Sequence, residues 1–197
     1  MAFFCFMLRV FSKLGLRGFF VISCIPMKNK CILLDRDGVL NSERGDYVYN
    51  DADFVIEPGV PEGLVELKKA GFKLVVVTNQ GGISKGLYTK ETVLRYHSQI
   101  QKRCGYSLDF LLYAPLHKSM TKTLASKPGT LMLERGLALT ESDPVQSWII
   151  GDAERDLVAG KAVGVRTILI PTLKERESTY ADFVVPDFAT AVKTILG

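Results

Sequence analysis

Cys31-Ile32-Leu33-Leu34-Asp35-Arg36-Asp37-Gly38-Val39-Leu40-Asn41 is the stretch on which the reading of the whole chain turns. Its apolar start predicts a short buried strand, and the run ends abruptly in two aspartates one residue apart, followed by glycine. Side chains alternate along an extended chain, so Asp35 and Asp37 start on the same side of the backbone, at the mouth of a sheet. Two like charges placed so closely repel each other unless a cation or a shared proton lies between them. Gly38 permits a sharp departure from the strand that a side chain would forbid, leaving the carboxylates uncovered. An isolated Asp-x-Asp would read as a polar loop, and only further motifs decide against that.

Those motifs follow in a fixed order. Val75-Val76-Val77-Thr78-Asn79-Gln80-Gly81-Gly82-Ile83 closes a second apolar run, Lys127-Pro128 precedes a helical pattern, and Ile149-Ile150-Gly151-Asp152 is followed by Asp156. From about residue 28 to the C-terminus the set resembles the haloacid dehalogenase (HAD) phosphohydrolase superfamily. Within it, Asn41, the Thr78 to Ile83 loop and the run from Lys127 to Leu133 look like the subgroup holding D-glycero-D-manno-heptose 1,7-bisphosphate 7-phosphatase and histidinol-phosphate phosphatase.

Composition agrees with a small-molecule enzyme. The length of 197 residues fits one domain with a full core. The formal charge is +4, yet five of the 25 basic residues (Arg9, Lys13, Arg17, Lys28 and Lys30) precede the first acidic one, leaving 20 against 21. The body is therefore neutral and offers no basic footprint for nucleic acid. Cys5, Cys24, Cys31 and Cys104 show no paired spacing, as in proteins of a reducing compartment. Residues 1–26 are apolar with positive charges only, but lack a 20-residue span, and they lack the order and cleavage site of a secretory signal. They are expected to be an extension outside the domain, translation starting at Met27, or else a membrane-surface or targeting helix. The domain is expected to occupy 27–197, as a cytoplasmic monomer without stable membrane association.

Alternating apolar runs and helical patterns predict an α/β fold, a parallel sheet flanked by helices, with its ligand site at the carboxyl ends of the strands. Helices are expected over Pro61–Ala70, Thr89–Cys104, Pro128–Leu139, Ala153–Val163 and Asp187–Leu196. Strands are expected over Lys73–Val77, Phe110–Ala114, Trp148–Ile150, Val165–Ile170 and Phe183–Val185. The resemblance adds that this is a Rossmann-like HAD fold. The insertion after Asn41, too short for a cap domain, forms a flap that leaves the site open. Tyr47 and Tyr49 are candidates to wall its entrance.

The resemblance and the charges together assign roles. Asp35 is the expected nucleophile, forming an aspartyl phosphate, and Asp37 the acid and base. Magnesium is expected between Asp35, Asp152 and the backbone carbonyl of Asp37, which offer hard oxygen ligands. Thr78 and Lys127 are expected on the transferring phosphoryl oxygens, with Asn41, Asn79, Gln80 and Ser126 on the substrate. Asp156 either supports the metal, orients Lys127 or caps a helix. Two departures stand out. Relatives carry a zinc loop where this chain has Ala114-Pro115-Leu116-His117 and Leu124-Ala125-Ser126, so no structural zinc is expected, since one ligand cannot hold it. Ser126 stands where relatives have an arginine for a substrate phosphate, and Arg44 and Lys118 are candidates to replace it. The substrate class is a small phosphorylated sugar, first the heptose bisphosphate. Histidinol phosphate, a polynucleotide end, or an inactive binding module are the competing readings.

Overall fold

The computed structural model describes residues 29–43, 47–121, 123–172 and 176–197, so the 1–26 extension, Met27 and Arg44 lie outside it. Six strands form one sheet: β1 Lys30–Leu34, β2 Phe72–Asn79, β3 Phe110–Ala114, β4 Trp148–Gly151, β5 Arg166–Leu169 and β6 Phe183–Val184. They are ordered β3-β2-β1-β4-β5-β6 and every pairing is parallel. The helices are α1 Val60–Lys69, α2 Lys90–Arg103, α3 Leu131–Leu139, α4 Glu154–Val163 and α5 Phe188–Leu196. This is the doubly wound α/β architecture expected of the sequence.

Alternation along the strands divides the core into two layers. Ile32, Leu34, Leu74, Val76, Trp148 and Ile150 face one side, where Leu64 and Leu67 of α1, Tyr96 and Ile100 of α2, and Phe188 and Val192 of α5 cover them. Leu33, Val75, Val77 and Ile149 face the other, under Leu133 and Leu137 of α3 and Ala159 of α4. Each such side chain removed from water contributes about 1.5–3 kcal/mol before the entropy of ordering is charged against it. Strands buried on both faces read as unbroken apolar runs, which is why they were legible.

Helix α3 begins three residues later than its proline suggests. Gly129 N–H donates to the Ser126 carbonyl and Leu131 N–H to the Leu124 carbonyl, so the segment ahead of Leu131 is a turn and not a first helical turn. The strand order reverses direction between β1 and β4, whose carboxyl ends carry Asp35 and Gly151-Asp152. A crevice at such a switch point is where doubly wound sheets bind ligands.

Candidate active site

Around the switch point three buried carboxylates, Asp35, Asp152 and Asp156, bring oxygens within 4.8 Å of one another, the one such acidic group among the described residues. Lys127, 3 % exposed, enters this group from the β3–α3 connection. Its ammonium lies 3.0 Å from Asp35 Oδ1 and 2.6 Å from Asp156 Oδ1, and donates to the Val77 carbonyl at 2.7 Å. Burial would depress the Lys127 pKa, but Asp156 and Asp35 outweigh it and hold the ammonium above its ordinary value.

Asp156 answers one question left open by the sequence. One oxygen grips Lys127 and the other accepts the Ala153 N–H at 3.1 Å, so it both anchors the lysine and caps α4. With both oxygens so occupied it is fully buried, while Asp35 and Asp152 keep 2 % and 4 % exposure. Asp35 Oδ1 accepts the Arg36 N–H at 2.7 Å as well as facing Lys127, while Oδ2 lies 3.8 Å from Arg155. Arg155 also reaches Asp152 Oδ1 at 3.5 Å, and its half-exposed side chain sits at the rim. Gly38, at φ +85°, is glycine for a second reason: a β-carbon there would collide with the Asp152 carboxyl group.

Burial, together with the neighbouring negative charges, raises the pKa of Asp152 and, against the pull of Lys127, that of Asp35. Three carboxylates held by one fully buried cation and one rim arginine form a hard-oxygen site short of positive charge. That donor set fits a magnesium ion.

The sign of a stability effect follows. A carboxyl group whose pKa is raised by folding stabilises the fold while protonated, and that stabilisation is lost as pH rises through the raised value. In the presence of chelator, Asp152→Asn is therefore expected to melt above the wild type at pH 9, with the gap closing toward pH 5. Each pKa unit is worth about 1.4 kcal/mol, or roughly 3 °C for a chain of this size. Calorimetric melting at the two pH values checks this, and a variant less stable than wild type at pH 9 would refute it.

Asp37 occupies a different environment from Asp35, because β1 ends at Leu34 and strand alternation no longer governs the two side chains. Its Oδ1 accepts from Arg36 Nε and Nη2 at 3.2 and 2.9 Å and from Asn41 Nδ2 at 3.0 Å, and its Oδ2 accepts from Gln80 Nε2 at 2.8 Å. Burial would raise its pKa, but Arg36, Asn41 and Gln80 outweigh it and hold the carboxyl below its ordinary value. The cation answering Asp37 is thus Arg36, whose guanidinium is buried against the face of Tyr96. The Asp37 carboxylate is outside the three-acid group, so toward a metal it has its backbone carbonyl to offer.

The other expected residues are placed as follows. Thr78, 1 % exposed, accepts from Gln80 Nε2 at 2.9 Å, which leaves its own hydroxyl proton to donate elsewhere. The Asn79 amide is committed to the Lys127 backbone, donating to its carbonyl at 3.0 Å and accepting its N–H at 2.9 Å. Gln80, 1 % exposed, is committed below the surface, its carbonyl accepting from Tyr88 and Arg36. Asn41 is fully buried beside Asp37. Ser126 is half-buried and donates to the Leu116 carbonyl at 3.2 Å. Lys118 is exposed on the following turn, and the His117 ring pairs with the Ser119 hydroxyl. Tyr47 and Tyr49 lie against Tyr88, their ring centroids 6.1 and 6.4 Å from its own. Arg36, Tyr88 and Arg155 carry no role in the sequence reading, although Arg36 sits inside the deciding motif.

Comparison with known proteins gives the family and the fold. Residues 124–191 match the sequence family described as HAD-hydrolase-like. The D-glycero-beta-D-manno-heptose-1,7-bisphosphate 7-phosphatase of Haemophilus influenzae is 36% identical over 155 residues, covering 74% of this chain and 84% of that protein. The protein of that name from Pasteurella multocida is 33% identical over 180 residues, covering 85% and 97%. Among solved structures, the D,D-heptose 1,7-bisphosphate phosphatase of B. bronchiseptica, complexed with magnesium and phosphate, superposes with a TM-score of 0.76 at 23% identity, over 85% of this chain and 98% of that one. The heptose bisphosphate phosphatase of Burkholderia thailandensis gives a TM-score of 0.60 at 26% identity, over 86% and 99%.

Proposed function

The chain belongs to the HAD phosphatases, in the group that holds the heptose bisphosphate phosphatases, and from that premise we propose that it removes the 7-phosphate of D-glycero-D-manno-heptose 1,7-bisphosphate with the help of magnesium. The observation that carries the chemistry is Lys127, sealed between Asp35 and Asp156 at the switch point of the sheet. The substrate is carried by what the relatives are named for.

In this reading an Asp35 oxygen attacks phosphorus, the bond from phosphorus to the sugar oxygen breaks, and Asp37, whose proton is held against the pull of Arg36, Asn41 and Gln80, gives it to that oxygen. Water then attacks the aspartyl phosphate and gives its proton to Asp37, which restores both carboxyl groups. Lys127 and Thr78 offer protons to the phosphoryl oxygens, where charge accumulates. Asp35, Asp152 and the Asp37 carbonyl would hold magnesium, which supplies neutralising charge to the phosphoryl group. Anchored by Arg36 N–H and Lys127, the Asp35 carboxylate needs no reorganisation before attack. Ser126 gives this chain a weaker grip on a remote phosphate than an arginine would.

The reading takes residues 27–197 as the phosphatase domain of a cytoplasmic monomer without structural zinc, a nucleic-acid partner or stable membrane association. No described helix is long and apolar enough to cross a membrane. The test is a screen of phosphorylated metabolites, with magnesium, on the full chain and on one begun at Met27. Both are expected to hydrolyse the heptose bisphosphate best and at equal rates. Preference for histidinol phosphate would replace the substrate, failure of the shorter chain would move the domain boundary, and one zinc per chain by elemental analysis would overturn the reading of the Ala114–Lys127 loop.

A further inference from the structure

The second half of the Thr78–Ile83 loop is shaped around a side chain that the catalytic roles leave out. A β-carbon on Gly82 would overlap the ring of Tyr88, and would come within 2.6 Å of its Cζ. The Tyr88 hydroxyl donates to Gln80 Oε1 at 2.8 Å. Arg36 Nη2 reaches the same oxygen at 3.3 Å, so the carbonyl end of this buried amide faces donors alone. Its nitrogen end faces acceptors alone, Asp37 Oδ2 at 2.8 Å and Thr78 Oγ1 at 2.9 Å. Reversing the amide would set its oxygen against the Asp37 carboxylate and its nitrogen against a guanidinium, so the orientation is fixed by its neighbours. Burial pushes the Tyr88 phenol up to about 12, which keeps it a protonated donor at neutral pH. On its outer side Tyr88 carries the flap, through Tyr47 and the stacked ring of Tyr49.

We propose that Tyr88 is a positioning residue for Asp37, acting through Gln80, and that Gly82 is glycine in order to admit it. The chain Tyr88–Gln80–Asp37 sets where the carboxyl group stands relative to the leaving oxygen. The Tyr47 and Tyr49 rings rest against Tyr88 and so back the outer end of this chain. The inference rests on the acid and base role assigned to Asp37 above.

The test is the leaving-group dependence of Tyr88→Phe, which keeps the ring and removes the donor. kcat/KM for an alkyl phosphate, whose leaving oxygen needs a proton, is expected to fall about tenfold, the scale of one misplaced hydrogen-bonding group, because kcat/KM reads the transfer to Asp35 and not the later hydrolysis in which Asp37 serves both substrates. kcat/KM for p-nitrophenyl phosphate, whose leaving group needs none, is expected to fall no more than about twofold. KM is expected to stay within about twofold for both, with an unchanged melting temperature. Gly82→Ala, which pushes the ring aside, is expected to give the same split. Equal losses on the two substrates, or no loss on either, would overturn the positioning role. A wild-type protein that releases phosphate from nothing would instead overturn the phosphatase reading on which it rests.

Discussion

Asp35→Asn is expected to reduce phosphate release from every phosphomonoester to the level of a blank, a loss on the order of 10⁴-fold or more. An amide keeps the shape of the carboxyl group and can still accept the Arg36 N–H that holds Asp35 at 2.7 Å. What it loses is the charge and the lone pair that attack phosphorus. The fold has little reason to suffer. Lys127 keeps Asp156 and the Val77 carbonyl, and the buried acidic group sheds one of its three mutually repelling charges. Without metal the variant should melt at or slightly above the wild type. Phosphate release and melting, measured on one preparation, separate loss of chemistry from loss of structure. Activity within tenfold of wild type would remove Asp35 from the nucleophile's role.

The strands and the order of the motifs were legible because a sheet buried on both faces writes its positions as unbroken apolar runs. Leu33-Leu34, Val75-Val76-Val77 and Ile149-Ile150 could hardly be anything else. What the sequence could not show is where a polar side chain goes once the strand has ended. The spacing of Asp35 and Asp37 puts them on the same side of an extended backbone, yet beyond Leu34 each turns to its own cation, Lys127 for one and Arg36 for the other. Asn79 is the last residue of β2 and Gln80 follows it, a place where an amide reads as a ligand contact, and only the fold shows their hydrogen bonds closing on Lys127 and Asp37. Spacing also hid Tyr88, since nothing local says that the ring packs on Gly82 and reaches Gln80. A signal existed for Arg36 alone: a cation between two aspartates of a buried strand end has few places to go except onto one of them. Asp156 stands in the first turn of α4, where a capping role and a lysine partner look alike in sequence, and the structure gives it both.

Lys127→Met should fail on both counts, activity and stability, because the ammonium is the one fully buried positive charge set among the three acids. Its removal leaves Asp35, Asp152 and Asp156 with only the half-exposed Arg155 nearby and takes the Lys127 donor from the Val77 carbonyl. Breaking a buried ion pair on one side costs about 3–5 kcal/mol, more than the pair itself contributes, since the stranded charge has no water to turn to. For a chain of this size that is a fall of roughly 10 °C in melting temperature. Protonation of the acids offers partial relief, so the deficit should shrink as pH is lowered toward 5, in keeping with the raised pKa of Asp35 and Asp152. Magnesium should also recover part of the stability by binding the folded state. It should not recover turnover, because a cation between Asp35 and Asp152 does not replace a proton donor on the far side of Asp35. Melting curves at pH 5 and 8, each with chelator and with magnesium, alongside phosphate release, make the comparison. If magnesium restored activity and stability together, Lys127 would be a structural counter-ion only, and its place on the phosphoryl group would have to be given up.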